Sequence, residues 1–266
     1  MKNFLLYKNI RIISLISSFL IVLLTFIVLI FFQQKSFIIE LLLIIIAYLV
    51  SLLIINFNFN VKELFSVLIM PSLIVFLFFS FLTLYQSLYQ NIYLIIFLGL
   101  VYFVFLYASF IHMSIINVLK FEKVPLVRFS YTINYIIITV LAYFSFLYSF
   151  LQKDIFLILL YIIIFAFIII FENLISLEYE VKDRVLYVCI GIVIFLILGI
   201  FFLFYPISIF IAALSLSLVM YIYNGILLHN RISRMGVFNY FEYFIFSLII
   251  IISLIYIPSW GIAGHL

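Results

Sequence analysis

The chain has 266 residues, 70% of them hydrophobic and 8% charged, with a mean hydropathy of +1.52, and no water-soluble domain can cover that much apolar surface. Its 13 Lys and Arg against 9 Asp and Glu are scattered among apolar runs, which suits control of membrane orientation rather than a nucleic-acid surface. The runs are continuous rather than alternating, which excludes an outer-membrane barrel, and they leave no stretch for an extramembrane catalytic domain.

A hydrocarbon core about 30 Å thick takes roughly 20 apolar residues per helical crossing. In chain order, runs of that kind cover Ile12–Phe32, Phe37–Phe57, Leu64–Tyr85, Ile92–Ile116, Tyr131–Leu151, Ile155–Phe171, Val185–Tyr205, Ile207–Leu228 and Tyr240–Ile257. The pattern predicts an all-α, polytopic bundle of nine transmembrane helices forming one domain over residues 1–266. The basic N-terminus imitates a signal peptide, but the first run is long and leaves through Phe32-Gln33-Gln34-Lys35 instead of small residues, so it reads as a retained helix. Runs seven and eight are separated only by Pro206, which cannot continue a helix cleanly; a tight turn there and one long bent helix are the two readings.

Charge placement favours the turn. With the N-terminus cytoplasmic, the inner segments hold Lys2, Lys8, Arg11, Lys62, Lys120, Lys123, Arg128, Lys182, Arg184, Arg231 and Arg234, and the outer ones hold only Lys35 and Lys153. Fusing runs seven and eight would carry Arg231 and Arg234 outside. Trp260 and Tyr256, beside Pro258, then suit an outer interfacial belt. The expected location is the cell (inner) membrane, multi-pass. Cys189 is the single cysteine and lies in an apolar run, which excludes disulfide staples and thiolate metal sites.

The remaining chemistry sits in the inner loops. After helix six, Glu172, Glu178, Glu180 and Asp183 make the most acidic segment. If the helix continues, Glu172, Ser176, Tyr179, Glu180 and Asp183 share one face, where carboxylates could hold Mg²⁺, a hard cation that takes oxygen ligands and bridges to phosphates. A solvated helix end with Glu/Lys pairs is the plainer reading. After helix two, Asn56 and Asn60 offer amides able to bond phosphate oxygens, or simply cap a turn. After helix four, Lys120, Lys123 and Arg128 can meet an anionic head group or fix topology. Within the spans, Glu40 is close enough to the outer end to snorkel. His112, a turn from the inner end of helix four, suits hydrogen bonding between helices. The 35 Phe and 20 Tyr decide nothing, because lipid-facing surface absorbs aromatic rings readily.

Taken together, these loops resemble the UbiA superfamily of intramembrane prenyltransferases, whose members have nine helices, an internal N-terminus and a cytoplasmic active site. In that family the loop after helix two carries N-D-x-x-D-x-x-x-D; Asn56, Phe57, Asn60 and Leu64 occupy the matching positions, so the leading Asn is kept and every Asp is lost. The family's loop after helix six resembles R-E-x-x-K-D-x-E-D-x-x-G-D-[RK]. Aligned on Asp183-Arg184, it places Glu172 and Glu178 on two of its glutamates, with Ser176 and Tyr179 replacing two aspartates. Leu119-Lys120 and Pro125 echo the loop after helix four, without the usual Gly-Asn.

The resemblance implies a protein that binds a polyprenyl diphosphate and transfers its prenyl group to a lipophilic acceptor in the membrane. It assigns Mg²⁺ to Glu172, Glu178, Glu180 and Asp183, and the diphosphate to Asn56, Asn60, Lys120 and Arg128. Two metals bridging a diphosphate need several hard anionic ligands, so the missing aspartates point to a homologue with altered or lost catalysis. The competing class is a non-enzymatic polytopic protein, a transporter or assembly subunit; its inverted repeats and midplane polar groups are not evident in the sequence.

Overall fold

The computed structural model describes residues 2–31, 36–54, 61–84, 92–114, 125–177, 179–205, 207–232, 245, 248 and 252. Eight helices follow one another: α1 (Lys2–Phe31), α2 (Ser36–Ile54), α3 (Val61–Leu84), α4 (Ile92–Ser114), α5 (Pro125–Phe150), α6 (Ile155–Ser176), α7 (Val181–Phe204) and α8 (Ile209–Ile232). Among the described residues there is no β-strand. The eight helices match the first eight expected runs in order. The ninth, Tyr240–Ile257, falls outside the described residues except for Ile245, Leu248 and Ile252, each helical and exposed. Several helices begin before their apolar run: α1 at Lys2, α5 at Pro125 and α7 at Val181. Hydrogen bonding along the backbone carries on past the bilayer edge, whereas hydropathy marks only the hydrocarbon portion.

Among the described residues five helices are long and apolar enough to cross a membrane, over Arg11–Val28, Ile95–His112, Ile155–Ile175, Val181–Phe204 and Ile209–Leu228. Shorter apolar helical stretches cover Leu41–Ile54, Met70–Ser80 and Asn134–Phe150. Their outward faces are apolar, as lipid requires: Ile16, Phe19, Leu49, Phe97, Phe156, Val193 and Phe204 are all exposed. The chain is a helical membrane protein.

The helices gather into two compact units, Met1–Ile137 and Ile138–Leu266. In the first, α1 packs on α2 and α4, and α3 packs on α2 and α4. Its core is built from Ile21, Leu43, Ala47, Ile74, Phe79, Tyr102, Leu106 and Phe110. The Phe78 and Tyr102 rings stack with centroids 4.7 Å apart, and the Tyr102 hydroxyl lies 3.3 Å from Thr25 Oγ1. Those contacts fix α4 against both α3 and α1.

In the second unit α6, α7 and α8 pack pairwise, and the C-terminal part of α5 joins them through rings. Phe146 stacks on Phe195 at 5.5 Å, and Tyr148 meets Tyr161 edge-on at 5.5 Å. The buried residues of α7 are Val188, Gly191, Phe195, Gly199 and Phe202, a three-four spacing that forms one stripe. The two glycines let α6 approach. A Cβ on Gly199 would meet Ile162 Cδ1 at 3.0 Å, and one on Gly191 would overlap Ile170 Cδ1 and touch the Tyr223 ring at 3.3 Å. Small residues at a seam are how membrane helices gain dispersion contact when lipid offers no hydrophobic drive.

The turns are set by local chemistry. Asp154 caps α6, its carboxylate accepting from the Phe156 N–H at 2.9 Å. Between α7 and α8 the backbone reverses over Tyr205 to Ser208, with Ile207 N–H donating to Tyr205 O at 2.8 Å and Ser208 O accepting from Ile211 and Ala212. Pro206 itself lies outside the described residues, yet the helices on either side end and begin as the turn reading requires. After α6 the structure decides the condition on which a shared acidic face depended. The helix does not continue through the acidic segment, because Leu177 N–H returns to Asn173 O and Tyr179 N–H to Leu174 O, closing α6 before Glu180 opens α7. The single face expected over residues 172–183 is therefore split between two helices.

Candidate functional site

The turn between α6 and α7 and the last turns of α8 bring together the densest set of buried polar side chains in the second unit. Glu172 and Asn173 close α6, 3% and 5% exposed, and Asn224 on α8 is fully buried. Asn173 Nδ2 donates to Asn224 Oδ1 at 3.0 Å. The bond spans two helices and satisfies one atom of each carboxamide, while Asn224 Nδ2 has no hydrogen-bond partner among the described residues. Glu172 falls inside the apolar window Ile155–Ile175; an ionisable side chain there costs a few kcal/mol in lipid and marks a functional site by default.

Tyrosines tie the turn to α8. The Tyr179 hydroxyl, buried, donates to Leu227 O at 2.7 Å, and the Tyr223 hydroxyl donates to Tyr187 O at 2.5 Å. Arg184, in the first turn of α7, donates from Nε to Tyr179 O at 2.5 Å. That single bond uses one of five guanidinium donors, and it holds a half-buried cation at the mouth of the α6–α8 group. Glu180, Lys182 and Asp183 around it are exposed. The result is polar groups in two layers: carboxylate and carboxamides inside, and a mixed-charge rim at the turn.

The expected metal ligands part company here. Glu172 is buried on α6, while Glu180 is the residue preceding α7 and Asp183 lies in its first turn, both exposed. Glu178 lies outside the described residues. Among the described residues no three His, Cys, Asp or Glu come close enough to hold a metal ion, and no chemistry is derived through Mg²⁺. Asn56, Asn60 and Lys120 also lie outside the described residues; Arg128 belongs to α5, its side chain undescribed. His112 is buried in the last turn of α4.

Asn224, Tyr223 and Tyr187 carry no motif, and loop-centred reasoning passed over them. The available signal was a lone carboxamide in the otherwise apolar stretch Met220–Leu228, which lipid tolerates only when another helix answers it. No family model matches the chain, and no curated protein or solved structure matches it.

Proposed function

We propose that this chain is a UbiA-like multi-pass membrane protein, with nine spans and a cytoplasmic N-terminus, that binds a polyprenyl diphosphate at the α6–α7 turn. The observation that carries the reading is the buried Asn173–Asn224 bond beside Glu172 in the chain, with Tyr179 bonded to Leu227 O and Arg184 to Tyr179 O, at the loop where the resemblance puts the diphosphate. An amphiphile suits such a site: apolar side chains of α6 to α8 surround the prenyl chain, and Arg184 with Lys182 meets the phosphates at the rim. The described carboxylates are dispersed, which supports binding without metal-assisted prenyl transfer. The neutral partner is membrane lipid or a lipophilic acceptor; nucleic acid has no part in it.

Two measurements test the reading. Saturable binding of tritiated farnesyl, geranylgeranyl or undecaprenyl diphosphate to protein in nanodiscs is expected with or without Mg²⁺, and Arg184→Gln weakens it by about tenfold or more, since a charged hydrogen bond contributes roughly 1.5–3 kcal/mol. Absence of saturable binding for all three chain lengths overturns the proposal in favour of a transporter or assembly subunit. For the topology, reporters fused after Lys123 and after Leu266 should appear on opposite sides of the membrane; the same side for both refutes it.

A further inference from the structure

Asn224 contains a contradiction that the helix packing does not resolve. Its side chain is fully buried, 0% exposed, within a span that lipid surrounds. Asn173 pins the carboxamide through Oδ1 at 3.0 Å, yet Nδ2 on the same amide has no partner. Because the amide is planar, Nδ2 cannot swing to a new acceptor without giving up the bond that Oδ1 makes. An uncompensated donor costs free energy wherever water is excluded, and an apolar residue would have removed that cost. The neighbouring phenols are already committed, Tyr179 to Leu227 O and Tyr223 to Tyr187 O, so they do not relieve it.

We propose that Asn224 Nδ2 is a ligand-binding donor that hydrogen-bonds the oxygen on the first carbon of the prenyl chain. This rests on the polyprenyl reading above and adds to it a residue on α8. The depth is right: Asn224 lies four residues inside the end of the span Ile209–Leu228, or about 6 Å at the helical rise. Arg184 holds the rim at the α6–α7 turn. A head group at the rim with its chain running inward puts its innermost oxygen at the level of the carboxamide. Burial in an apolar span disfavours a fully charged phosphate at that depth, and the ester oxygen is the least charged acceptor in the head group. Since Asn224 is fully covered, the ligand reaches it by displacing a neighbouring side chain.

The same oxygen is present in a prenyl diphosphate and in the free prenyl alcohol, so the two ligands separate the sources. Asn224→Asp keeps the acceptor that Asn173 uses and deletes the donor. It should weaken binding of geranylgeranyl diphosphate and of geranylgeraniol alike, by about three- to tenfold, the value of one lost hydrogen bond. The paired variant Asn173→Leu with Asn224→Leu removes the bond together with both of its carboxamides; it shows the same loss in protein that still unfolds cooperatively, which covers the case of an aspartate that disturbs folding. Weakening confined to the diphosphate means charge repulsion by the aspartate and overturns the assignment, as does unchanged geranylgeraniol binding in the Leu pair. If the wild-type protein binds neither ligand, the polyprenyl reading itself fails; if it binds both and the variants bind equally well, only the role of Asn224 fails.

Discussion

The two units differ in how much of their buried polarity is spent between helices. In the first, hydroxyls turn back on their own helix: Ser18 Oγ donates to Ser14 O at 2.7 Å, Thr25 Oγ1 to Ile21 O at 2.8 Å and Ser51 Oγ to Ala47 O at 2.8 Å. Each of these three hydroxyls bonds a carbonyl four residues back, and Thr25 Oγ1 also lies 3.3 Å from the Tyr102 hydroxyl on α4. In the second, Ser149 Oγ and Ser217 Oγ turn back in the same way, to Ser145 O at 2.8 Å and Leu214 O at 2.7 Å, and larger polar groups besides reach across: Asn173 to Asn224, Tyr179 to Leu227 O, Tyr223 to Tyr187 O. Those bonds exist only while α6, α7 and α8 keep their places. Polar content alone therefore does not single out a site in a membrane bundle; what does is polarity that one helix cannot satisfy.

The largest effect expected from breaking this contrast is steric. Gly191 faces Ile170 and Tyr223 with no room for a side chain, so Gly191→Leu must push α6 and α8 away from α7. Overpacking of this kind costs about 1–3 kcal/mol, and it would misplace Tyr223 and Asn224 together. A lowered melting temperature in detergent, with loss of the protection of Asn224 from hydrogen exchange on the neighbouring backbone, would show it. Gly99 in the first unit faces Phe26 at 3.0 Å, and Gly99→Ala should cost less, because that contact is a ring edge that can rotate.

Next comes the bond between helices. Asn173→Ala leaves Asn224 with neither amide atom paired in a wholly buried position, at a cost of about 1–2 kcal/mol. The counterpart in the first unit is Tyr102→Phe, which deletes a long contact of 3.3 Å to Thr25. Thr25 keeps its bond to Ile21 O, so the loss there is near the average of about 0.6 kcal/mol for membrane hydrogen bonds. Equal losses at the two positions, read by reversible unfolding in mixed micelles, would erase the distinction.

Much of the fold was legible in the sequence because a bilayer makes hydropathy almost a ruler: a run of Ile, Leu, Phe and Val of spanning length has few alternatives to a helix. The break between α7 and α8 was legible for a second reason, since the positive-inside rule predicts a turn there that keeps Arg231 and Arg234 with the other basic residues. The acidic segment was left open where the rule was local. Periodicity put Glu172 and Asp183 on one face, but the apolar stretch from Val185 must re-enter the membrane, and the chain turns at Leu177 to let it. The carboxamide pair was not legible, because nothing in the spacing of Asn173 and Asn224, 51 residues apart, says that α6 and α8 are neighbours.

The smallest effect is the sharpest test of the comparison. Ser51 is fully buried, and its hydroxyl bonds only the carbonyl of Ala47, one turn back on α2. That carbonyl also serves the helical ladder, so Ser51→Ala leaves no orphan acceptor. The substitution removes one small oxygen, improves helix propensity slightly and leaves the backbone bond in place. Stability should change by less than about 0.5 kcal/mol in either direction. Ser18→Ala, whose hydroxyl bonds Ser14 O in the same manner, should behave alike, and the double variant should be additive because neither hydroxyl depends on another helix. A loss above about 1 kcal/mol at either position, measured against wild type under the same lipid and detergent ratio, would mean that the first unit also holds its helices together with polar contacts and that self-satisfied hydroxyls are not what separates it from α6 to α8.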